Sequence, residues 1–239
     1  MKNKPTRILG LVPAKGTSQR LPRKNIKKLA GIPLFQHAYN ALKDSGLCTR
    51  IVLSSDDPEI TELGREIGMD VPFIRPLNLT RDPIGVEEVA LHCLTELKAA
   101  GDEYDILVIV LPTSPLLIGE DIEQAYTIFQ KNRAARLIGV AEMEHSPFQT
   151  MQLRNAELVV PLFPTYFGKK SQQLPRAYRP VGLHVLDVPT FRLTRKYTAH
   201  PLSFYRVPWP RGIDIDTASD FMIAEAFTDL IMPLLVDNC

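Results

Sequence analysis

One stretch near the N-terminus carries the residue types needed to hold a polyphosphate. Lys15, Gly16, Thr17, Ser18, Arg20, Arg23, Lys24 and Asn25 follow directly on the apolar run Ile8 to Val12. Backbone N–H groups near Gly16 can meet phosphate oxygens without a Cβ in the way, and the four cations offset the phosphate charge. The spacing is neither that of a Walker loop nor that of a dinucleotide fingerprint. A solvated basic loop would account for the charges alone. The position of the stretch, directly after an N-terminal strand, favours the phosphate reading.

A second constellation lies far along the chain, in Arg211-Gly-Ile-Asp-Ile-Asp-Thr217. Asp214 and Asp216 are two residues apart, so in an extended segment their carboxylates share a face. Two carboxylates on one face make a hard oxygen site suited to Mg²⁺, which binds substrate phosphates together with one or two carboxylates. The same residues also read as a turn and a helix start, with Asp216 or Thr217 as N-cap and Asp220 in the first turn. Asp56 and Asp57 end a strand. Either could touch a ribose or a metal, and Asp-Asp-Pro is also a helix-start signal. Arg75 is placed to reach a base or a phosphate, or to form a surface salt bridge. His92 lies among apolar residues, His145 and His184 lack partners at metal-ligand spacing, and Cys48 and Cys93 read as core. Tyr166, Phe167 and Tyr178 read as interface packing.

The elements that must position these residues are legible as alternation. Strands are expected at Ile8–Val12, Arg50–Leu53, Ile106–Leu111 and Leu137–Ala141. Helices are expected at Leu34–Leu42, Pro58–Ile67, Val86–Leu97 and Glu120–Phe129. Such alternation implies a parallel sheet with right-handed crossovers and a ligand at the carboxyl ends of the strands. Loops 13–25, 54–57 and 112–117 lie there. The alternation fails between about Met143 and Pro180, then resumes with a strand at Val181–Leu186 and a last helix from about Ala218. The expected organisation is therefore a core of residues 1–142 and 181–239, interrupted by an excursion over 143–180.

Composition limits the choice of partner. A chain of 239 residues with 45% hydrophobic content and a net charge of +1 suits one sizeable α/β domain and gives no reason to propose nucleic acid or membrane. No segment approaches the length of a membrane span, and the short apolar run near the N-terminus does not suit a signal peptide. The three cysteines, Cys48, Cys93 and Cys239, are widely spaced, which fits reduced thiols and a cytoplasmic location.

Taken together, Pro13-Ala-Lys-Gly-Thr-Ser-Gln-Arg-Leu-Pro-Arg-Lys-Asn25, Ser54-Ser-Asp-Asp57, Arg75-Pro76 with Leu79 and Asp82, Pro112-Thr-Ser-Pro-Leu116, Gln173-Leu-Pro-Arg-Ala-Tyr-Arg-Pro180 and Ile213-Asp-Ile-Asp-Thr217 resemble the acylneuraminate (CMP-sialic acid) cytidylyltransferases and the related enzymes for Kdo and bacterial nonulosonic acids. The resemblance runs in family order over nearly the whole chain. It implies a Rossmann-like nucleotidyltransferase fold, CTP and a small acidic acceptor as substrates, Mg²⁺ as cofactor, and a homodimer with 143–180 as the dimerisation arm. By position it implies that Lys15, Gly16, Ser18, Arg20 and Lys24 bind the triphosphate. It places Asn25 at the ribose, Arg75 at the cytosine and Arg179 at the acid. Lys24, Asp214 and Asp216 become the catalytic set, with both aspartates on the metal.

The chain also departs from the family pattern. Lys15, Thr17 and Gln19 stand where Arg, Gly and Lys are usual. Leu111, Leu117, Gln149 and Val181 stand where the sialic acid enzymes often place polar or charged groups, and Val86 lies near a position that is often Ser. Most departures gather at the ribose and acceptor end. The implied function is transfer of CMP to a nonulosonic-type sugar acid. A different small acid, such as a phosphono acid, or a catalytically silent homologue are the alternatives these departures leave.

Overall fold

The computed structural model describes residues 5–81, 84–196 and 200–236. Asp82 and Cys239, named above, lie outside the described residues.

The chain runs β1 (Ile8–Pro13), a two-residue-strand hairpin of β2 (Lys28–Leu29) and β3 (Ile32–Pro33), α1 (Leu34–Asp44), β4 (Arg50–Ser54), α2 (Pro58–Glu66), α3 (Val86–Ala99), β5 (Ile106–Val110), α4 (Gly119–Lys131) and β6 (Arg136–Glu142). There follow a small hairpin of β7 (Met151–Leu153) and β8 (Val159–Pro161), then β9 (Tyr178–Asp187), α5 (Val188–Thr194), β10 (Leu202–Arg206) and α6 (Ala218–Val236). Among the described residues no helix is long and apolar enough to cross a membrane.

Six strands form one sheet in the order β10-β6-β9-β5-β1-β4. Strands β4, β1 and β5 are mutually parallel, as are β6 and β10. The expected Rossmann-like, mostly parallel sheet is therefore present, with one difference. Strand β9 sits between β5 and β6 and is antiparallel to both. A parallel neighbour needs a crossover that returns the chain to the starting edge of the sheet. The segment between β6 and β9 instead stays at the carboxyl edge and re-enters there, so β9 runs backwards. Its first residues consequently lie beside the carboxyl end of β5, where the site is built.

Residue alternation along the central strands explains why helices cover both faces. Ile106, Val108 and Val110 join Ile8 and Val12 in a core with Phe35 of α1 and Ile122 of α4. Leu107 and Ile109 join Leu9 and Leu11 against Leu94 of α3 and Phe191 of α5. A strand buried on both faces must be apolar at every position, which is the unbroken run seen in the sequence. The helix starts follow local chemistry. The Asp57 carboxylate accepts from Glu59 N–H (3.0 Å) and Ile60 N–H (3.1 Å) at the start of α2, and this is the helix-start reading of that residue. Cys93 is buried and Cys48 half-buried against the core, and His92 packs edge-on against Phe73. These agree with their readings as structural residues. His184 is buried beside Arg136, and desolvation lowers its pKa to about 3, so it is neutral in the core.

The excursion leaves the sheet at Glu142 and returns at Tyr178, whose Cα pairs with that of Glu142. Residues 178–180 thus belong to the sheet. Between these points the β7–β8 hairpin and short 3₁₀ turns expose Leu153, Leu158, Val159, Phe163 and Phe167. Phe148 packs on Phe163 and Tyr166, with ring centroids 5.4 and 4.8 Å apart.

The loop that carries Asp214 and Asp216 is anchored from behind by Asp121, which is fully buried in the first turn of α4. Its carboxylate accepts two bonds from Arg211, from Nε (2.9 Å) and Nη2 (3.0 Å), and one from the Tyr205 hydroxyl (2.8 Å). A bidentate guanidinium pair fixes both distance and plane. Removing the cation strands a buried carboxylate, so Arg211→Met is expected to lower stability by about 3 kcal/mol. Arg211→Lys, which keeps the charge and loses the fork, should fall in between. Urea denaturation measures both; a change under about 0.5 kcal/mol for the Met variant would be that of an ordinary surface position.

Candidate active site

The loop after β1 folds over the sheet edge because its apolar residue Leu21 is buried. Leu21 enters a small core with Leu29, Leu34, Leu116, Ile213, Ile215 and Phe221. That core joins the N-terminal loop to the segment before α6, two pieces far apart in sequence. Because Ile213 and Ile215 face inward, the alternation of an extended chain turns Asp214 and Asp216 the other way. Thr217 and Asp220 then start α6. The Asp220 carboxylate accepts from Asp216 N–H (3.0 Å) and Thr217 N–H (2.7 Å), and Asp220 N–H donates to the Thr217 hydroxyl (3.3 Å). The cap is therefore Thr217 with Asp220, and the Asp216 carboxylate is left for other work.

That carboxylate is held by cations of the loop after β1. Lys24 Nζ donates to Asp216 Oδ1 (3.0 Å) and to Ile215 O (2.8 Å), and Arg20 Nη2 lies 2.8 Å from Asp216 Oδ2. Lys24 is buried, whereas Arg20 is exposed. Asp214 lies deeper. Its Oδ1 accepts from the Ser114 hydroxyl (3.1 Å), whose oxygen in turn accepts from Gly182 N–H (2.8 Å). Gly182 is required by this approach, since a Cβ there would stand 2.7 Å from Leu111 Cβ and 2.8 Å from Ser114 Oγ. Burial raises the Asp214 pKa above the ordinary carboxylate value; hydroxyls from Thr113 and Ser114 oppose the shift, and the nearby Asp216 charge adds to it.

These elements wall a cleft of about 410 Å³ at the carboxyl ends of β1 and β5. Its lining includes the polar and cationic Lys15, Ser18, Arg20, Lys24, Asn25, Arg75 and Asp216 and the apolar Leu79, Ile84, Val86, Val89 and Leu111. The structure thus brings together on one cleft Lys15, Ser18, Arg20, Lys24, Asn25, Arg75 and Asp216. Asn25 is fixed by donating through Nδ2 to Lys15 O (2.8 Å).

Three named residues stand off that surface. Gly16 does not line the cleft; its N–H donates to Asp56 Oδ1 (3.3 Å), and its missing Cβ makes room for Asp57, whose Cβ would lie 2.7 Å away. The structure therefore assigns Gly16 a packing reason in place of the expected open N–H. Asp214 does not line the cleft; its Oδ1 is held by the Ser114 hydroxyl. Arg179, on the incoming end of β9, donates through Nη2 to Gly212 O (2.9 Å) and sits within electrostatic reach of Asp214 and Asp220. The departures also divide. Leu111 and Val86 line the cleft, but Leu117 and Val181 are buried in the main core, where a charged side chain would lack a partner. Gln149 lies out on the excursion, its Nε2 donating to Lys169 O (2.8 Å). Ser114 and Thr113 were not singled out as site residues. Their signal was the Pro-Thr-Ser-Pro stop at the carboxyl end of a buried strand.

Open α/β sheets bind their ligands at the carboxyl ends of the strands, where this cationic cleft lies. The chain belongs to the cytidylyltransferase family, whose sequence description matches residues 9–161. Among curated proteins it is 31% identical to a pseudaminic acid cytidylyltransferase of Campylobacter jejuni, over 91% of this chain and 94% of that one. It is 26% identical to a CMP-N,N'-diacetyllegionaminic acid synthase of Legionella pneumophila, over 96% of this chain and 100% of that one. Among solved structures, a CMP:2-keto-3-deoxy-manno-octonic acid synthetase complexed with CTP shares the fold with a TM-score of 0.69 at 14% identity, covering 94% of this chain and 99% of that one.

Proposed function

We propose that this chain transfers the cytidylyl group of CTP to a hydroxyl of a nonulosonic-type sugar acid and releases pyrophosphate. The observation that carries the reading is the clamp of Lys24 and Arg20 on Asp216 in the cleft. It gathers the charges that a triphosphate needs against a carboxylate that a metal needs. The relatives named above are cytidylyltransferases and CMP-acid synthases, which supports the choice of CTP and of an acid acceptor.

Lys15, Ser18, Arg20 and Lys24 bind the triphosphate in this reading, Asn25 the ribose and Arg75 the base. The acceptor oxygen attacks the α-phosphorus in line while pyrophosphate leaves. Little covalent help is needed, so positioning and charge neutralisation dominate. Arg179 faces the acceptor carboxylate from the incoming end of β9. The residues present fit Mg²⁺: Asp214 and Asp216 offer hard oxygens on one side of an extended segment, and the cations now on Asp216 are those a triphosphate would engage. Bound there, Mg²⁺ would neutralise charge on the phosphate under attack. A cytoplasmic setting goes with the reading, supported by Cys48 and Cys93 as free cysteines.

Calorimetry with Mg²⁺ present tests the nucleotide. CTP should bind more tightly than ATP or GTP, and equal or tighter binding of a purine triphosphate overturns the cytidylyl reading.

We further propose a symmetric homodimer formed through the excursion. Leu153, Leu158, Val159, Leu162 and Phe163 are exposed on its hairpin and adjoining turn, and a contiguous apolar surface of this kind marks an interface. Light scattering should give a dimer mass at micromolar concentration; a monomer contradicts the assignment.

A further inference from the structure

Asp56 lies on the loop after β4 and points back under the cleft, with a side chain only 6% exposed. One oxygen of its carboxylate serves two parts of the site. Oδ1 accepts from Gly16 N–H (3.3 Å), in the loop after β1, and from Arg75 Nη2 (2.7 Å), which lines the cleft. Arg75 is itself tied to the same loop, its N–H donating to Ser55 O (2.9 Å). Its guanidinium is nearly fully buried, and Nε has no hydrogen-bond partner among the described residues. A buried guanidinium needs a counter-charge to stay charged in place, and Asp56 is the carboxylate that supplies it. The charge has a purpose in the cleft. Leu79, Ile84, Val86, Val89 and Leu111 give the cleft an apolar lining, and Arg75 adds donors without acceptors.

We propose that Asp56 is a positioning residue that couples the two ends of the nucleotide site. It holds the Arg75 guanidinium at the base end and the Gly16 peptide at the phosphate end through one carboxylate oxygen. The proposal rests on the reading of the cleft as the CTP site. An ion pair that merely staples two loops would not distinguish a nucleotide from its phosphates. A positioning role does, because in that reading Arg75 meets the base.

The test compares binding of CTP and of inorganic tripolyphosphate by calorimetry. In Asp56→Asn the amide oxygen still accepts from Gly16 N–H, but the charge facing Arg75 is gone. CTP binding should weaken by about tenfold or more, and tripolyphosphate by less than about threefold. In an Arg75→Met background, adding Asp56→Asn should change the ratio of the two affinities by less than about twofold, because the coupled partner is absent. Equal weakening of both ligands by a variant with a native circular dichroism spectrum overturns the proposal, as does no weakening of either. Should Asp56→Asn lose its native spectrum, the wild-type protein decides. Cytidine monophosphate should shift the Arg75 side-chain N–H resonances of ¹⁵N-labelled protein; their standing still at saturation overturns the proposal. A wild-type protein that prefers ATP to CTP fails the reading of the site instead, which separates the two outcomes.

Discussion

Asp216→Asn is expected to lower kcat/KM by about a thousandfold while the protein stays folded. The two effects separate because of the local geometry. The asparagine side chain keeps an oxygen for Lys24 Nζ, which also retains Ile215 O as an acceptor at 2.8 Å. The backbone N–H of residue 216 still donates to Asp220, so the start of α6 is preserved. Asp216 itself keeps 34% of its side-chain surface exposed, so the substitution strands no deeply buried group, and stability should move by less than about 1.5 kcal/mol. What is lost is one of two negative charges on the face that would meet Mg²⁺, at the point where Arg20 and Lys24 converge. Pyrophosphate release across a Mg²⁺ titration is the measurement. Near-normal activity at limiting Mg²⁺ would leave Asp216 as a counter-ion for Lys24 and nothing more.

N-acetylneuraminic acid is expected to be a poor acceptor, or none, beside other small acids. Leu111 brings an apolar side chain to the cleft, and Gln149 is neutral and committed to Lys169 O. A hydrogen-bond partner lost to the acceptor costs about 1–3 kcal/mol, roughly five- to 150-fold in binding. Arg179 remains, so an acid of some kind is still required. Steady-state turnover with a panel of acids measures the preference directly. Efficient use of N-acetylneuraminate would show that contacts other than these two residues set the acceptor.

Much of this molecule can be read from local pattern. The unbroken apolar runs of β1 and β5 predict burial on both faces, because a strand between two helical layers has no polar side. Asp57 before Pro58, and Thr217 three residues before Asp220, are short-range signals, and each caps its helix as its chemistry requires. The phosphate loop was legible because its cations, hydroxyls and glycine fall within a single stretch after a strand.

The remainder depends on residues that meet only when the chain folds. Strand β9 has an ordinary strand sequence, and nothing in its side chains states its direction; that follows from where the excursion re-enters the sheet. Strand β10 and helix α5 are short and were not anticipated, since a few residues of weak periodicity do not compete with loop signals. The reason for Gly16 is the approach of Asp57, contributed by another loop. Asp56 was ambiguous because its partners, Gly16 and Arg75, lie 40 and 19 residues away. The choice between cap and metal site for Asp216 was open in the sequence for the same reason. Thr217 and Asp220 could supply the cap locally, but the cations on Asp216 arrive from residues 20 and 24. They are delivered by the small core in which Leu21 packs with Ile213 and Ile215. Apolar contacts between distant segments have no short-range signature. It is those contacts that turn two aspartates and a basic loop into one site.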